Sequence, residues 1–252
     1  MLDFLIRQML YPAPPYRVPS PPPWPLEEVA LALPSGEVAV SWAYEHPAAE
    51  RSTPAVVFLH GNGENLETMR QAGLYTQLAE LGVHFLAVDY PGYGRSSGTP
   101  GEASLVASAE AGFEWIARRF AEQPKVLLGW SLGAAVAIRT AVRHAERVDR
   151  LVLLSAWDEL PAVAAEHFPA WLVGAGLKDR YDSLAVAGEI RVPVLQIHGT
   201  DDRIIPIAHG RRLYEALAAA SARFVAVPDT GHNDLLARPV VWQELAAFLG
   251  PE

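Results

Sequence analysis

The chain of 252 residues contains no cysteine. Disulfide bonds, thiolate metal sites and a cysteine nucleophile are therefore excluded, while the redox compartment stays undetermined. The formal net charge is -9, because 29 acidic residues outnumber the 20 Lys and Arg residues. A broad nucleic-acid-binding surface would need clustered Lys and Arg, so none is expected. Half of the residues are apolar and 19% are charged, which is typical of a soluble globular protein with a sizeable core.

The N-terminal region has too few apolar residues in a row to span a bilayer. Residues 1–10 place apolar side chains at helical spacing, but a span needs about 20 apolar residues. They also lack the basic start and the small-residue cleavage site of a signal peptide. Residues 11–25 contain eight prolines, which exclude a helix or an inner strand. We predict that residues 1–26 form a short helix and a proline-rich arm on the surface of a cytoplasmic protein, with peripheral membrane contact as the alternative.

Regular patterns begin near residue 27. Two alternating segments, 28–33 and 37–44, predict an antiparallel hairpin. Beyond it, unbroken apolar runs alternate with helix candidates. The six apolar runs are 55–60, 85–90, 125–130, 150–156, 192–199 and 222–229, and the helix candidates are 66–81, 103–121, 132–145, 208–220 and 238–249. We predict one α/β domain over residues 27–252, with a mostly parallel central sheet, the hairpin at its N-terminal side and helices on both faces.

The third apolar run joins the helix candidate after it at a single serine, Ser131. Gly129 and Gly133 lie two residues to either side. A strand that turns directly into a helix forces the residue at the turn into a strained conformation, which lifts its side chain clear of the sheet. Strand and helix then pass so closely that the flanking positions must be small. In this context the G-x-S-x-G pattern predicts a nucleophile elbow with Ser131 as the nucleophile.

A serine hydroxyl needs a base to take its proton, and the base needs a carboxylate to orient it. In this arrangement the acid and then the histidine follow the serine along the chain. His232 lies just after the last apolar run, which makes it the candidate base among eight histidines. Three aspartates are open as the acid: Asp201 and Asp202 follow the fifth run, and Asp158 follows the fourth.

The oxyanion that forms at a substrate carbonyl needs N–H donors. The N–H of Leu132, at the elbow, is one candidate. The second is expected from the loop His60 to Asn65 after the first apolar run, where glycines let backbone N–H groups face inward. We predict that the N–H of Asn62 is this second donor and that Asn65 caps the following helix.

Two further motifs lack the residues that a cofactor or a metal would need. Gly92 and Gly94 begin a dinucleotide fingerprint, but Ser97 stands where its third glycine would be. His198 lies close to two aspartates, but no second histidine has the spacing of a metal ligand. We therefore expect no cofactor and no metal.

From about residue 27 to the C-terminus the chain resembles an α/β-hydrolase. The motifs that carry the resemblance follow the order of that fold, and they are HGNGEN, DYPGYGRSSG, GWSLG, HGTDDRIIP and GHND. The chain resembles in particular the minimal-cap branch, which includes bacterial orphan esterases and eukaryotic membrane-tethered lipid and protein deacylases. In that group the acid is the fifth residue of H-G-x-x-D, so the resemblance implies Asp202 as the acid. Many relatives also carry a hydrophobic N-terminal anchor, where this chain has only the helix candidate at residues 1–10.

Residues 157–190 follow the fourth apolar run, where cap domains enter this fold. Two prolines divide them, so we predict two or three short helices rather than a separate lid domain. The aromatic residues Trp157, Phe168 and Trp171 are predicted to form an apolar wall for an acyl group. The expected substrate is a small-molecule or lipid-like acyl ester.

Together these residues predict a serine hydrolase that cleaves carboxylic ester or thioester bonds through an acyl-enzyme intermediate. One alternative is a non-catalytic small-ligand-binding protein on the same scaffold, and the intact set of Ser131, Asp202 and His232 weighs against it. The other is a peptidase that resembles the catalytic domain of prolyl oligopeptidases. The short chain and the missing propeller domain weigh against that reading.

Overall fold

The part of the chain that the structure describes forms a central sheet of eight strands. The structure is a computed structural model, and it describes residues 10–14, 25–169, 173, 177–217 and 221–250. The strands are β1 (Glu27–Ala32), β2 (Val38–Tyr44), β3 (Ala55–Leu59), β4 (His84–Val88), β5 (Lys125–Trp130), β6 (Arg150–Leu154), β7 (Val194–Gly199) and β8 (Ala222–Val227). Their order across the sheet is β1-β2-β4-β3-β5-β6-β7-β8. β2 pairs antiparallel with both β1 and β4, and the other pairings are parallel.

Helices connect the strands and cover both faces of the sheet. They are α1 (Leu66–Gln71), α2 (Leu74–Glu80), α3 (Glu102–Arg119), α4 (Leu132–Arg143), α5 (Leu160–Ala165), α6 (Leu184–Ala187), α7 (Ile207–Ala216) and α8 (Pro239–Leu249), with a 3-10 turn at Leu235–Ala237. Buried side chains of α3, α4 and α7 pack on one face. Those of α1, α2 and α8 pack on the other. The sheet therefore has an apolar core on each side.

The alternation within β3 illustrates how both cores form. Val57 and Leu59 belong to the core under α3 and α4, whereas Val56 and Phe58 belong to the core under α1 and α2. All four side chains are buried. Both faces of a parallel strand need apolar residues when helices cover both sides, so the strand is a continuous apolar run.

The predicted α/β-hydrolase fold is confirmed, including the antiparallel pair at the N-terminal side. All six apolar runs contain strands, and β5 has the predicted bounds. The single helix predicted over residues 66–81 is wrong. Gly73 adopts φ 78, a left-handed conformation that ends one helix before the next begins, so the segment forms α1 and α2.

Most of the N-terminal region lies outside the described residues, including residues 1–9 and 15–24. The prediction of a short helix there is therefore not tested. Within the described ranges, no helix is both long enough and apolar enough to cross a bilayer. Residues 10–14 are described, and Tyr11 is buried in the core under α3 and α4.

The parallel strands end at one edge of the sheet, which we call the carboxyl edge. β5 lies between β3 and β6. The loops after these three strands and after β7 and β8 lie along this same edge. Ser131 follows β5 directly, so the residues that could act on a substrate with it must come from these loops.

Candidate active site

Ser131 stands between β5 and α4 in a strained backbone conformation. Its φ of 55 and ψ of -114 lie where side-chain-bearing residues are rarely found. The Ser131 N–H donates to the Leu154 carbonyl at 2.8 Å, which ties the turn to the neighbouring β6. Ser131 is buried except for 8% of its surface. The hydroxyl thus sits at a fixed place on the carboxyl edge.

The two flanking glycines let β5 and α4 approach each other. A Cβ on Gly129 would overlap the carbonyl oxygen of Gly133. A Cβ on Gly133 would overlap the Leu59 carbonyl oxygen and would lie 2.8 Å from that of His60. Because these obstacles are backbone atoms, no side-chain movement could relieve them. Both positions require glycine for steric reasons, as the sequence pattern predicts.

Asp202 and His232 meet through a short hydrogen bond. His232 Nδ1 donates to Asp202 Oδ2 at 2.7 Å, so in the neutral imidazole Nε2 is the nitrogen that can accept a proton. The other carboxylate oxygen, Oδ1, accepts from the backbone N–H groups of Ile204 at 3.0 Å and Ile205 at 2.7 Å. These bonds fix the carboxylate, and the carboxylate fixes the tautomer and direction of the imidazole.

The environment of Asp202 keeps its carboxyl ionised. Burial alone would raise its pKa, but the hydrogen bonds with His198 and His232 outweigh burial and lower the pKa well below the ordinary value. His198 Nε2 lies 3.5 Å from Asp202 Oδ2 and donates to the Ile205 carbonyl at 2.8 Å. A carboxylate that stays charged can stabilise the imidazolium that forms during proton transfer.

The other two aspartates that were open as the acid lie in different surroundings. Asp201 is exposed, and its carboxylate accepts from the hydroxyl of Thr200 at 3.2 Å. Asp158 is buried but holds a different histidine, because His209 Nδ1 donates to it at 2.6 Å. Of the three, Asp202 is the one bonded to His232.

His232 also rests against an aromatic ring from the elbow. The rings of Trp130 and His232 stack with centroids 5.7 Å apart and an interplanar angle of 26°. Trp130 is the last residue of β5 and is itself held against the loop after β3, because a Cβ on Gly61 would lie 3.2 Å from its ring. The imidazole of His232 is therefore held by a hydrogen bond to Asp202 at Nδ1 and by stacking on Trp130 along one face.

We call residues 60–65, the loop after β3, the oxyanion loop, because the predicted donor Asn62 lies in it. Its base is anchored, since His60 Nε2 lies 3.3 Å from the buried Asp89 and the Tyr90 hydroxyl donates to the His60 carbonyl at 2.9 Å. Its far end begins α1, where Asn65 accepts from the N–H of Thr68 as predicted for a cap. Asn62 lies at the exposed tip between these anchors.

Leu132 is the first residue of α4, so its N–H belongs to the helix N-terminus. N–H groups there have no partner within the helix and can donate to an anion. The oxyanion loop and the start of α4 lie next to each other, because the backbone of Leu59 and His60 limits the space at Gly133. The predicted donors Asn62 and Leu132 thus belong to adjacent segments of the carboxyl edge.

The family model described as the alpha/beta hydrolase fold matches residues 54–184 of this chain. The chain belongs to the α/β-hydrolase family. A likeness to solved structures agrees with the fold. The esterase Pf2001 of Pyrococcus furiosus superposes with a TM-score of 0.75 at 20% sequence identity, over 94% of this chain and 98% of the esterase.

Two relatives illustrate the range of proteins that this α/β-hydrolase is similar to. An uncharacterised protein of Mycobacterium tuberculosis is 36% identical over 239 residues, which cover 89% of this chain and 83% of that protein. The lysophosphatidylserine lipase ABHD12 of Rattus norvegicus is 32% identical over 189 residues, which cover 68% of this chain. The match spans only 47% of the length of that lipase.

The predicted substrate wall of this α/β-hydrolase is only partly described. Trp157 is buried, with its ring stacked on that of Tyr181 at 6.3 Å. Phe168 is exposed, and Trp171 lies outside the described residues. In the part of residues 157–190 that is described, α5 and α6 are short helices.

Sequence reasoning missed three side chains near the predicted site: Trp130, Tyr93 and Tyr11. Trp130 is the variable residue of the elbow pattern, so the pattern itself carries no information about it. Tyr93 lies between Gly92 and Gly94 in the DYPGYG segment, and the glycine pattern carries no information about the residue between them. Its hydroxyl donates to the side chain of Asn62 at 2.7 Å. Tyr11 lies among prolines and shows no periodicity.

Among the described residues, no cluster of three or more His, Cys, Asp or Glu side chains is arranged to hold a metal ion. The pair of His198 and Asp202 is completed by the backbone of Ile204 and Ile205 and by His232. Both carboxylate oxygens of Asp202 and the Nε2 of His198 are therefore engaged within the protein.

Proposed function

We propose that this α/β-hydrolase is a serine hydrolase that cleaves carboxylic ester or thioester bonds, with Ser131, Asp202 and His232 as its triad. The observation that carries the proposal is the 2.7 Å hydrogen bond between His232 Nδ1 and a buried, ionised Asp202, at the same sheet edge as the strained Ser131. The two residues come from the loops after β7 and β8, which is where the chain order of this fold expects an acid and a base.

The proposed reaction begins with attack of Ser131 Oγ on the substrate carbonyl carbon. His232 Nε2 takes the hydroxyl proton as the new C–O bond forms, and Asp202 stabilises the resulting imidazolium. The carbonyl oxygen becomes an oxyanion, which the N–H groups of Leu132 and Asn62 receive. The intermediate then collapses: the bond to the leaving alcohol or thiol breaks, and His232 returns the proton to that group.

A water molecule completes the cycle. His232 takes a proton from the water, whose oxygen attacks the acyl carbon bound to Ser131. Collapse of the second tetrahedral intermediate breaks the bond to Ser131 Oγ, which regains a proton from His232, and the carboxylic acid leaves. The same three side chains and two N–H donors serve both halves, so the proposal needs no metal and no cofactor.

The substrate class is proposed as acyl esters with an apolar acyl group. The composition of the segment after β6 supports it, because aromatic and aliphatic residues outnumber fixed polar groups there. One relative is a lysophosphatidylserine lipase and one structural neighbour is an esterase, which agrees with this class.

The test compares turnover of p-nitrophenyl esters of graded acyl length with labelling by a fluorophosphonate probe. Ser131→Ala should abolish labelling and lower turnover by roughly 10⁴-fold or more, because the remaining groups cannot replace a nucleophile. Ser155→Ala is the matched control: Ser155 directly follows the neighbouring β6, with φ 46, and is fully buried. It should keep both labelling and turnover.

Two outcomes would contradict the proposal. Undiminished labelling of Ser131→Ala would remove Ser131 as the nucleophile. A wild-type protein that neither turns over any ester of the panel nor reacts with the probe would favour a non-catalytic binding protein on this scaffold.

A further inference from the structure

Residues 10–14, which we call the strap, lie against the oxyanion loop at two points. Asn62 Nδ2 donates to the Leu10 carbonyl at 2.5 Å. Asn65 Nδ2 donates to the Pro14 carbonyl at 3.3 Å. Both acceptors are backbone atoms, so the strap presents its main chain to the loop. Proline at position 14 leaves its carbonyl oxygen as the only polar backbone group it can offer.

The side chain of Tyr11, within the strap, contacts a different segment of the chain. Tyr11 is 5% exposed, and its hydroxyl donates to Asp179 Oδ2 at 2.6 Å and lies 3.0 Å from the hydroxyl of Tyr181. Tyr181 is fully buried at φ 42, an uncommon conformation for a residue with a side chain. A buried tyrosine hydroxyl with two partners is costly to displace, because it would leave polar atoms unsatisfied. The strap is therefore anchored to the segment between β6 and β7.

The two anchors belong to segments that follow different strands. The oxyanion loop follows β3, and Asp179 and Tyr181 lie between β6 and β7. β3 and β6 are the two neighbours of β5, the strand that leads into Ser131. The strap therefore links the segments that follow both neighbours of β5.

The side chain of Asn62 is held on both sides. Its Oδ1 accepts from the Tyr93 hydroxyl at 2.7 Å, and its Nδ2 donates to the strap. Both polar atoms of the amide are thus used, although Asn62 is an exposed loop residue. The direction of a backbone N–H follows from the conformation of its residue. Restraining the side chain from two sides therefore restrains the N–H as well.

We propose that the strap positions the oxyanion loop, with Tyr11 and Tyr93 as positioning residues that hold the Asn62 N–H toward the substrate oxygen. The inference rests on the proposed function, in which that N–H receives the oxyanion. The base of the loop has separate anchors in Asp89 and Tyr90. Loss of the strap contacts thus changes the tip of the loop and leaves the fold beneath it in place.

The kinetic test uses the full chain with Tyr11→Phe, Asn62→Ala and a control, Tyr214→Phe. Tyr11→Phe keeps the ring in the core and removes only the hydroxyl. Asn62→Ala keeps the backbone N–H and removes both side-chain bonds. Each should lower kcat on a short p-nitrophenyl ester by about tenfold to a hundredfold while KM changes little, because misplacing a donor weakens the transition state more than the ground state. In the double variant, kcat should fall by less than the product of the two separate fold-losses, because both substitutions remove the same support of the Asn62 N–H.

Tyr214→Phe is matched because it also removes one tyrosine hydroxyl, which donates to the Ala222 carbonyl at 3.2 Å far from the elbow. It should leave kcat and KM unchanged. Unchanged kcat in both Tyr11→Phe and Asn62→Ala, with wild-type enzyme active, would overturn the positioning role. A rise in KM alone would also overturn it, because the strap would then act in substrate binding.

Amide hydrogen exchange of the full chain tests the same role without any turnover. In Tyr11→Phe, the peptide covering residues 60–66 should exchange faster than in the wild type, while a peptide within α8 should not change. Equal exchange at residues 60–66 in both proteins would overturn the proposal even if the esterase assay fails. Absence of both turnover and probe labelling in the wild type would instead refute the proposed function.

Discussion

The imidazole of His232 lies almost parallel to the indole of Trp130, with 5.7 Å between the ring centroids. The hydrogen bond to Asp202 fixes one nitrogen of the imidazole but still allows the ring to turn about that bond. Stacking on a flat, buried surface opposes this rotation. Trp130 therefore helps to orient the imidazole in the proposed mechanism, although the G-x-S-x-G pattern allows any residue at position 130.

Replacing Trp130 by leucine should lower kcat by about tenfold, because a catalytic base that is tilted by a small angle transfers its proton less well. Trp130→Phe retains an aromatic face and should lose clearly less. Both variants leave a smaller side chain in the core, so their melting temperatures should fall by similar amounts. Steady-state kinetics with a short-chain ester checks the difference, and equal kcat losses in the two variants would argue against the stacking role.

The choice among the three aspartates can be tested with isosteric amides. Asp202→Asn should lower turnover on the order of 10⁴-fold, because the amide can stabilise the wrong tautomer of His232. Asp201→Asn and Asp158→Asn should have far smaller effects, since neither residue bonds to His232. If Asp158→Asn were the most damaging of the three, the proposed acid would be wrong.

Alanine substitutions at Gly133 and Gly188 test how closely β5 and α4 approach each other. Gly133→Ala should destabilise the protein by roughly 2–3 kcal/mol, because the new methyl group has only immovable backbone atoms as neighbours. Gly188→Ala is the control, since it has φ -65 and open space around the added Cβ. Its stability should stay within about 0.5 kcal/mol of the wild type or rise slightly. Urea unfolding followed by circular dichroism measures both, and an equally stable Gly133→Ala would contradict the close approach of β5 and α4.

The lowered pKa of Asp158 predicts that the free energy of unfolding decreases at acid pH. Burial alone would raise its pKa, but His209, the Glu159 N–H and Arg212 lower the pKa to about 2. A carboxyl whose pKa is lowered by folding stabilises the protein above its ordinary pKa of about 4, and this contribution disappears as pH falls toward 2. The stabilisation by the ionised Asp158 carboxylate amounts to about 2 kcal/mol. Asp158→Asn should be less stable at neutral pH and should lose less stability than the wild type between pH 4 and 2. Urea midpoints across that range check the slope, with the exposed Asp201→Asn expected to follow the wild type.

The fold could be predicted because its signals are local and repeated. Each inner parallel strand lies in an apolar run, since helices cover both of its faces, and five of the six runs precede a helix candidate. The helix candidate at 66–81 shows the limit of such patterns. Apolar periodicity continues through Gly73, whereas the left-handed conformation of that glycine is a property of the three-dimensional turn.

The candidate site could be predicted only where a motif requires a particular residue. Ser131 could be predicted as the residue at the turn because Gly129 and Gly133 let the strand and the helix meet closely there. Asp201 and Asp202 differ by one position, and their different surroundings arise from hydrogen bonds to Ile204, Ile205 and His232 that no periodicity encodes. Tyr11 has partners 168 and 170 residues away, so no local pattern could have revealed them.

Those long separations have a consequence for how the enzyme acquires its activity during folding. The elbow joins elements that are adjacent in the chain, whereas Tyr11 meets Tyr181 only after a loop of 170 residues has closed. Closing long loops costs chain entropy before any contact repays it, and contacts between distant residues form slowly. On dilution from denaturant, helical circular dichroism should therefore recover before ester turnover. A nascent chain would likewise gain full turnover only once both its beginning and its last strand had been folded into place.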